Sequence, residues 1–231
     1  MTALRRILRL LASPLKPFFV VLVPDHHVGT EVVAARYGWP LLTSIACACI
    51  AAFALASRVD VGPEVRAEDA KVEVDGAKKP EEIKTDREID EAIDQRAALV
   101  RVKLGVSAVA GTPFGVLVFA IVLLLLARFV GGKPTMARMF TVAALAGIPG
   151  AVRSILIAVV AFRQDRILPS DFESLVQSPF GIVFAVWSAV IVVFGLAAGA
   201  SMSKVKAFIT TVVGLVVLVL VGIIMMGAPK Q

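Results

Sequence analysis

Asp25-His26-His27 sets a carboxylate beside two imidazoles, and Glu31 follows His27 at the i, i+4 spacing of one helix face. These are residue types that hold a divalent metal. A metal-dependent hydrolase needs several further acidic ligands, however, and nearly all other acids of the chain fall in one distant polar segment, so no metal centre is expected. Arg153 is the stronger candidate, because it is the only charge well inside a long apolar stretch. A charge at such a depth marks ion paths, relays or ligand sites by default. No Asp or Glu occurs between Asp94 and Asp165, nor after Glu173, so no acid within an apolar stretch can pair with it. Its partners must come from carbonyls freed near Pro149, from Ser154, from water, or from Asp165, Asp171 or Glu173 reaching in. Two readings stand side by side: Arg153, with Pro149 and Gly147 of the same stretch, serves a ligand, or Arg153 snorkels or satisfies the helix break expected at Pro149-Gly150. There is no HExxH, GxSxG or Walker A pattern, and no GxGxxG in strand context, so no enzyme, catalytic residue or cofactor is expected. Membrane proton relays use buried Asp, Glu or His, which the apolar stretches lack. That counts against a proton-coupled transporter and an intramembrane hydrolase.

The elements that must carry Arg153 are legible from hydropathy. Five apolar stretches run Pro40 to Ser57, Leu104 to Ala127, Met139 to Phe162, Phe180 to Ala200 and Ala207 to Gly227. A hydrocarbon core about 30 Å thick needs roughly 20 helical residues, and four of the five reach that length outright. Apolar residues make up 58% of the chain and mean hydropathy is +0.86, well above a soluble domain. The fold class is therefore all-α, a polytopic membrane protein with five transmembrane helices plus an N-terminal interfacial helix. A central arginine opposes insertion by about 2.5–3.5 kcal/mol. Eleven Leu, Ile, Val and Phe residues in the same stretch each return about 0.3–0.6 kcal/mol, so the span still inserts.

Residues 1–38 form a basic amphipathic segment. Leu4, Ile7, Leu8 and Leu11 fall on one helix face and Arg5, Arg6 and Arg9 on the other, the pattern of a helix lying on anionic headgroups. Polar residues interrupt the stretch between this cluster and Ala54-Leu55-Ala56, so a cleaved leader is not expected. Residues 39–231 form the transmembrane domain, with 58–103 a polar loop and helical extension inserted between spans 1 and 2. From Asp60 to Val100 thirteen acids face seven bases, against a net charge of +6 for the whole chain. The first half of the insertion, with Pro63, Gly76 and Lys78-Lys79-Pro80, has no apolar period and reads as loop. Thr85-Asp86-Arg87-Glu88 fits a capping box, and Ile89, Ile93, Ala97, Val100 and Leu104 recur every three or four residues. A helix is thus predicted from Thr85 into span 2, as a partner-binding element or a solvated extension. Cys47 and Cys49 point to different sides of one helix and are read as packing residues.

Three runs place small residues at every fourth position: Ser107, Gly111, Gly115; Ala143, Gly147, Ala151; and Gly195, Gly199, Ser203. Such runs let helix backbones approach closely, within the bundle or between copies in a homo-oligomer. Arg128, Lys133 and Arg138 in the second connection and Lys204 and Lys206 in the fourth, with the basic N-terminus, favour an N-terminus in the cytoplasm and a C-terminus outside. Arg58, Arg101 and Lys103 flank spans on the other side and count against it. Cations at membrane ends fit anionic lipid, so no nucleic-acid partner is expected.

The order of several elements resembles the Yip1 family, in particular its bacterial branch. The matching pieces are Ser13-Pro14 and Phe18 after a basic start, then Gly131-Gly132-Lys133-Pro134 leading to Arg138-Met139-Phe140. Ala146-Gly147-Ile148-Pro149, Ile167-Leu168-Pro169, Trp187, Gly195-Leu196-Ala197 and Ser203-Lys204-Val205-Lys206-Ala207 follow. The resemblance implies five spans, a cytosolic N-terminus, a C-terminus on the other side and, for the bacterial branch, residence in the inner membrane. Eukaryotic members are tied to vesicle trafficking through an acidic cytosolic region and a DLYGP motif, neither of which is present here. The expected function is a non-enzymatic organiser or scaffold of membrane components, with possible membrane-protein partners. The alternative is a transport component, or one that handles lipid or anions, using Arg153.

Overall fold

The structure, a computed structural model, describes residues 26–34, 37–74, 86–168 and 180–226, and within these the side chains of all but 26–27, 30–31, 69–74, 180 and 218–226. The described elements are helical: α1 (His26–Val33), α2 (Gly38–Arg58), α3 (Gly62–Val74), α4 (Asp86–Val106), a π-helical turn (Ser107–Gly111), α5 (Thr112–Phe129), α6 (Met136–Ala146), α7 (Ile148–Arg163), α8 (Phe180–Gly199) and α9 (Lys204–Met226). Four helical stretches among the described residues are long and apolar enough to cross a membrane: Gly38–Arg58, Asp86–Phe129, Met136–Arg163 and Gly181–Gly199. The protein is a multi-pass membrane protein, helical throughout its named elements among the described residues. Helix α9 covers the last apolar stretch of the sequence. The expected interfacial helix of the N-terminal segment lies outside the described residues, as does Asp25.

The stretch from Asp86 to Phe129 is continuous over 44 residues, which at 1.5 Å per residue is about 66 Å, roughly twice the hydrocarbon thickness. A helix of that length exceeds the hydrocarbon; it begins at Asp86, as the apolar period leads one to expect, and Thr85 of the capping box lies outside the described residues. The loop expected ahead of it is corrected by α3 over Gly62–Val74, while Gly76 and Lys78-Lys79-Pro80 lie outside the described residues. Pro63 stands in the first turn of that helix, where its missing N–H breaks no hydrogen bond, so it is not the breaker it resembles in sequence. Asp60 Oδ1 accepts the Gly62 N–H at 3.0 Å and closes the helix start.

By contacts the chain divides into two compact units. One comprises 1–46, 112–152 and 182–231. Its core gathers Val28 and Val32 of α1, Leu123 of α5, Met139, Val142 and Leu145 of α6, Ile191 and Leu196 of α8, and Ala207 of α9. Helix α1 falls in the part of the sequence read as the basic N-terminal segment, yet Val28 and Val32 are fully buried. The α5–α6 connection is a tight turn: Gly131 has φ +85, and the Gly132 N–H returns to Ala127 O at 2.8 Å. The Lys133 N–H then donates to Ala200 O at 2.9 Å, which ties this turn to the α8–α9 connection. The Gly-Gly-Lys-Pro motif is thus a structural joint.

The other unit comprises 47–111 and 153–181. Ala51 and Ala54 of α2 pack with Ala158 and Ala161 of α7 and with Ile167. Val59, Val61 and Ala97 form a second small core with Ile93 and Val100 of α4. A parallel β-bridge joins Val59 to Ile167, with the Asp60 N–H on Ile167 O at 3.0 Å and the Ile167 N–H on Arg58 O at 2.9 Å.

All four buried hydroxyl side chains among the described residues bond to their own helix four residues back. Ser44 donates to Pro40 O, Thr141 to Ala137 O, Thr210 to Lys206 O and Thr211 to Ala207 O, at 2.8–2.9 Å.

Candidate functional site

The sequence points to the stretch around Arg153, and the local backbone follows from three residues. Gly147 ends α6 in a right-handed conformation, with its N–H shared between Ala143 O at 3.1 Å and Ala144 O at 3.2 Å. Pro149 has no N–H to give to Leu145 O and stands in the first turn of α7, so the ladder is interrupted there and resumes with the Ala151 N–H on Gly147 O at 3.0 Å. A single non-helical residue thus separates two helices that together run 28 residues from Met136 to Arg163. A Cβ at Gly147 would stand 3.3 Å from Ser44 Oγ and 3.2 Å from Ala144 O, which is close but not forbidding.

Arg153 follows one turn after Pro149 on α7 and is half-buried. Its Nε and Nη2 are fully buried and make no hydrogen bond, the only such side-chain nitrogens among the described residues. Neither a freed carbonyl near Pro149 nor Ser154 receives these two donors. Asp171 and Glu173 lie outside the described residues. Acyl chains cannot accept a hydrogen bond, so the arrangement leaves a guanidinium with donor capacity to spare in an apolar span.

The glycines with the closest helix approaches are on α8. A Cβ at Gly195 would come within 2.9 Å of both γ carbons of Val142, and one at Gly199 within 2.7 Å of Val32 Cγ1 and 3.0 Å of Met139 Cε. Gly111 would meet only the hydroxyl of Ser107, at 3.4 Å, and Gly115 nothing within 4 Å. Both are exposed.

A second constellation escaped the sequence reading. Asp60 closes α3 with one carboxylate oxygen and faces Arg166 Nη1 at 3.5 Å with the other, while its backbone joins the bridge to Ile167. Arg101 Nε donates to Ala56 O at 3.3 Å, placing a cation on the last turn of α2, where the helix dipole favours one. Further out, Arg96 pairs with Glu68 at 2.6 Å and Arg66 approaches Asp90 at 4.0 Å. The α3–α4 hairpin is thereby fixed at its base rather than free. The signal lay in Asp60-Val61-Gly62-Pro63, a cap followed by a first-turn proline.

Among the described residues no three His, Cys, Asp or Glu side chains come together as a metal site would need. The side chains of His26, His27 and Glu31 are outside that set. A family model described as the Yip1 domain matches residues 27–226. No curated protein and no solved structure matches the chain.

Proposed function

This chain belongs to the Yip1 family, and from that premise we propose that it is a non-enzymatic organiser of membrane components that presents the α3–α4 hairpin as a docking platform. The supporting observation is the anchored base of the hairpin. A loop that only linked two spans would have no need of a capped helix, a backbone bridge and an ion pair at its foot. In this reading five helices cross the bacterial inner membrane, α9 being the fifth, with the N-terminus in the cytoplasm and the C-terminus and hairpin outside. The contacts within each unit fit such alternation: the segments after α2 and after α7 meet at Val59 and Ile167, and those after α5 and after α8 meet at Lys133 and Ala200. A photo-crosslinking side chain at exposed Gln95 tests the platform in intact cells. A discrete membrane-protein adduct that disappears in Asp60→Ala supports it. Adducts unaffected by that substitution, or none, remove it.

The unbonded nitrogens of Arg153 favour a second reading, in which the kinked span handles an anionic group. A correctly inserted, stable Arg153→Leu protein that loses anion or lipid binding supports this; unchanged binding eliminates it.

A further inference from the structure

We propose that the hairpin end of the unit containing α3 and α4 carries a collar that binds the phosphates of anionic membrane lipids, with Lys103 and Arg163 as its principal cations and Arg58 and Arg166 beside them. The argument begins with depth. Arg58 is the last residue of α2 and Arg163 the last of α7, and the Val59–Ile167 bridge holds the segments that leave these two ends together. The bond from Arg101 to Ala56 O sets α4 in register with the last turn of α2. Lys103, two residues on, is therefore about 3 Å nearer the membrane centre. Arg58, Arg163 and Arg166 thus gather where the apolar runs of α2 and α7 end, and Lys103 stands about 6 Å further in, a distance its extended stem can span.

Among the described residues their acidic partners are few. Asp60 is committed to Gly62 and Arg166, and Asp165 lies between Arg163 and Arg166 in the sequence. Among the described residues no hydrogen bond or ion pair holds Arg58, Lys103 or Arg163, and Lys103 and Arg163 are exposed. Lys103 also shares its helix face with Leu99, Val102 and Val106, which are 70%, 62% and 60% exposed. A strip of exposed aliphatic side chains with a lysine among them suits acyl chains below and phosphates above, the lysine stem lying along the former and its ammonium reaching the latter. Soluble anions would leave the aliphatic part of the strip unpartnered, so the occupant is a lipid. This site lies at the end where the hairpin emerges.

Purified full-length protein in phosphatidylcholine nanodiscs, with and without phosphatidylglycerol, provides the test, with lipid retention read by native mass spectrometry. The expected result is preferential retention of phosphatidylglycerol, weakened about fivefold by Lys103→Gln and by about the square of that in Lys103→Gln with Arg163→Gln. The charge-keeping pair Lys103→Arg and Arg163→Lys should retain it, and inorganic phosphate should not displace it. Equal retention of the two lipids by the unsubstituted protein, full retention by the glutamine pair, or displacement by phosphate alone overturns the proposal.

Discussion

Adding one methyl group at Gly195 should separate two helices, whereas the same methyl at Gly115 should not. An alanine Cβ at 195 would lie 2.9 Å from each γ carbon of Val142 and 3.3 Å from its Cβ. Favourable carbon–carbon contacts lie at about 3.5–4.0 Å. Turning Val142 about χ1 moves its methyls but not its Cβ, and the side chain is fully buried. The helices must move apart by a sizeable fraction of an ångström, and overpacking of this kind costs about 1–3 kcal/mol. At Gly115 a Cβ meets nothing within 4 Å. The gain of helix propensity from Gly to Ala, about 1 kcal/mol, is common to both sites and cancels in their difference. Gly195→Ala should therefore be less stable than Gly115→Ala by about 1–3 kcal/mol. Unfolding in mixed micelles with rising dodecyl sulfate, followed through tryptophan fluorescence, measures it. Trp187 packs against the same core as Val142 and supplies a local probe. Combining Gly195→Ala with Val142→Ala should recover part of the loss, because it removes both clashing methyls. Equal midpoints for the two single variants, or strictly additive costs in the double variant, would refute the reasoning.

Asp60→Ala removes the hydrogen bond that closes α3, an effect of about 1 kcal/mol, so amide exchange across 62–74 should quicken about fivefold; unchanged exchange would mean that the hairpin is held elsewhere. Gly131→Ala forces a side chain into φ +85 where space is open, so the loss of about 1–2 kcal/mol should be purely conformational and should appear in the same micelle titration. Reporter fusions placed between α3 and α4 and after Gln231 should both report the non-cytoplasmic side, and a cytoplasmic signal from either would overturn the proposed orientation.

The spans were legible because some twenty consecutive apolar residues admit few alternatives, and the interruption of α6–α7 because Gly147 and Pro149 act through local backbone chemistry. Helix α3 was not legible. Among its described side chains only Val65 is buried, and Val61 just ahead of the helix sits in the small core built with Ile93 and Ala97 more than thirty residues later. A helix stabilised that way shows no period of its own. The small-residue runs looked alike as sequence, yet the neighbours at Gly195 and Gly199 differ from those at Gly115, because a spacing of four says which residues share a face and not what lies opposite. The partner of Arg153 was likewise beyond spacing rules. Candidate acids can be counted along a chain, but only the folded structure shows that no nearby carbonyl accepts from its Nε or Nη2.

The inward-turned hydroxyls of Ser44, Thr141, Thr210 and Thr211 have a further implication. Each occupies its donor on its own backbone, so none of these four latches one helix to the next, and where α6 meets α8 the fit is set by a steric peg, Val142 against Gly195. A helix contact fitted by such pegs meets little directional resistance when its two helices slide or tilt by small amounts. It can yield a little as bilayer thickness changes, while the methyl-sized fittings on α8 set how far it can go.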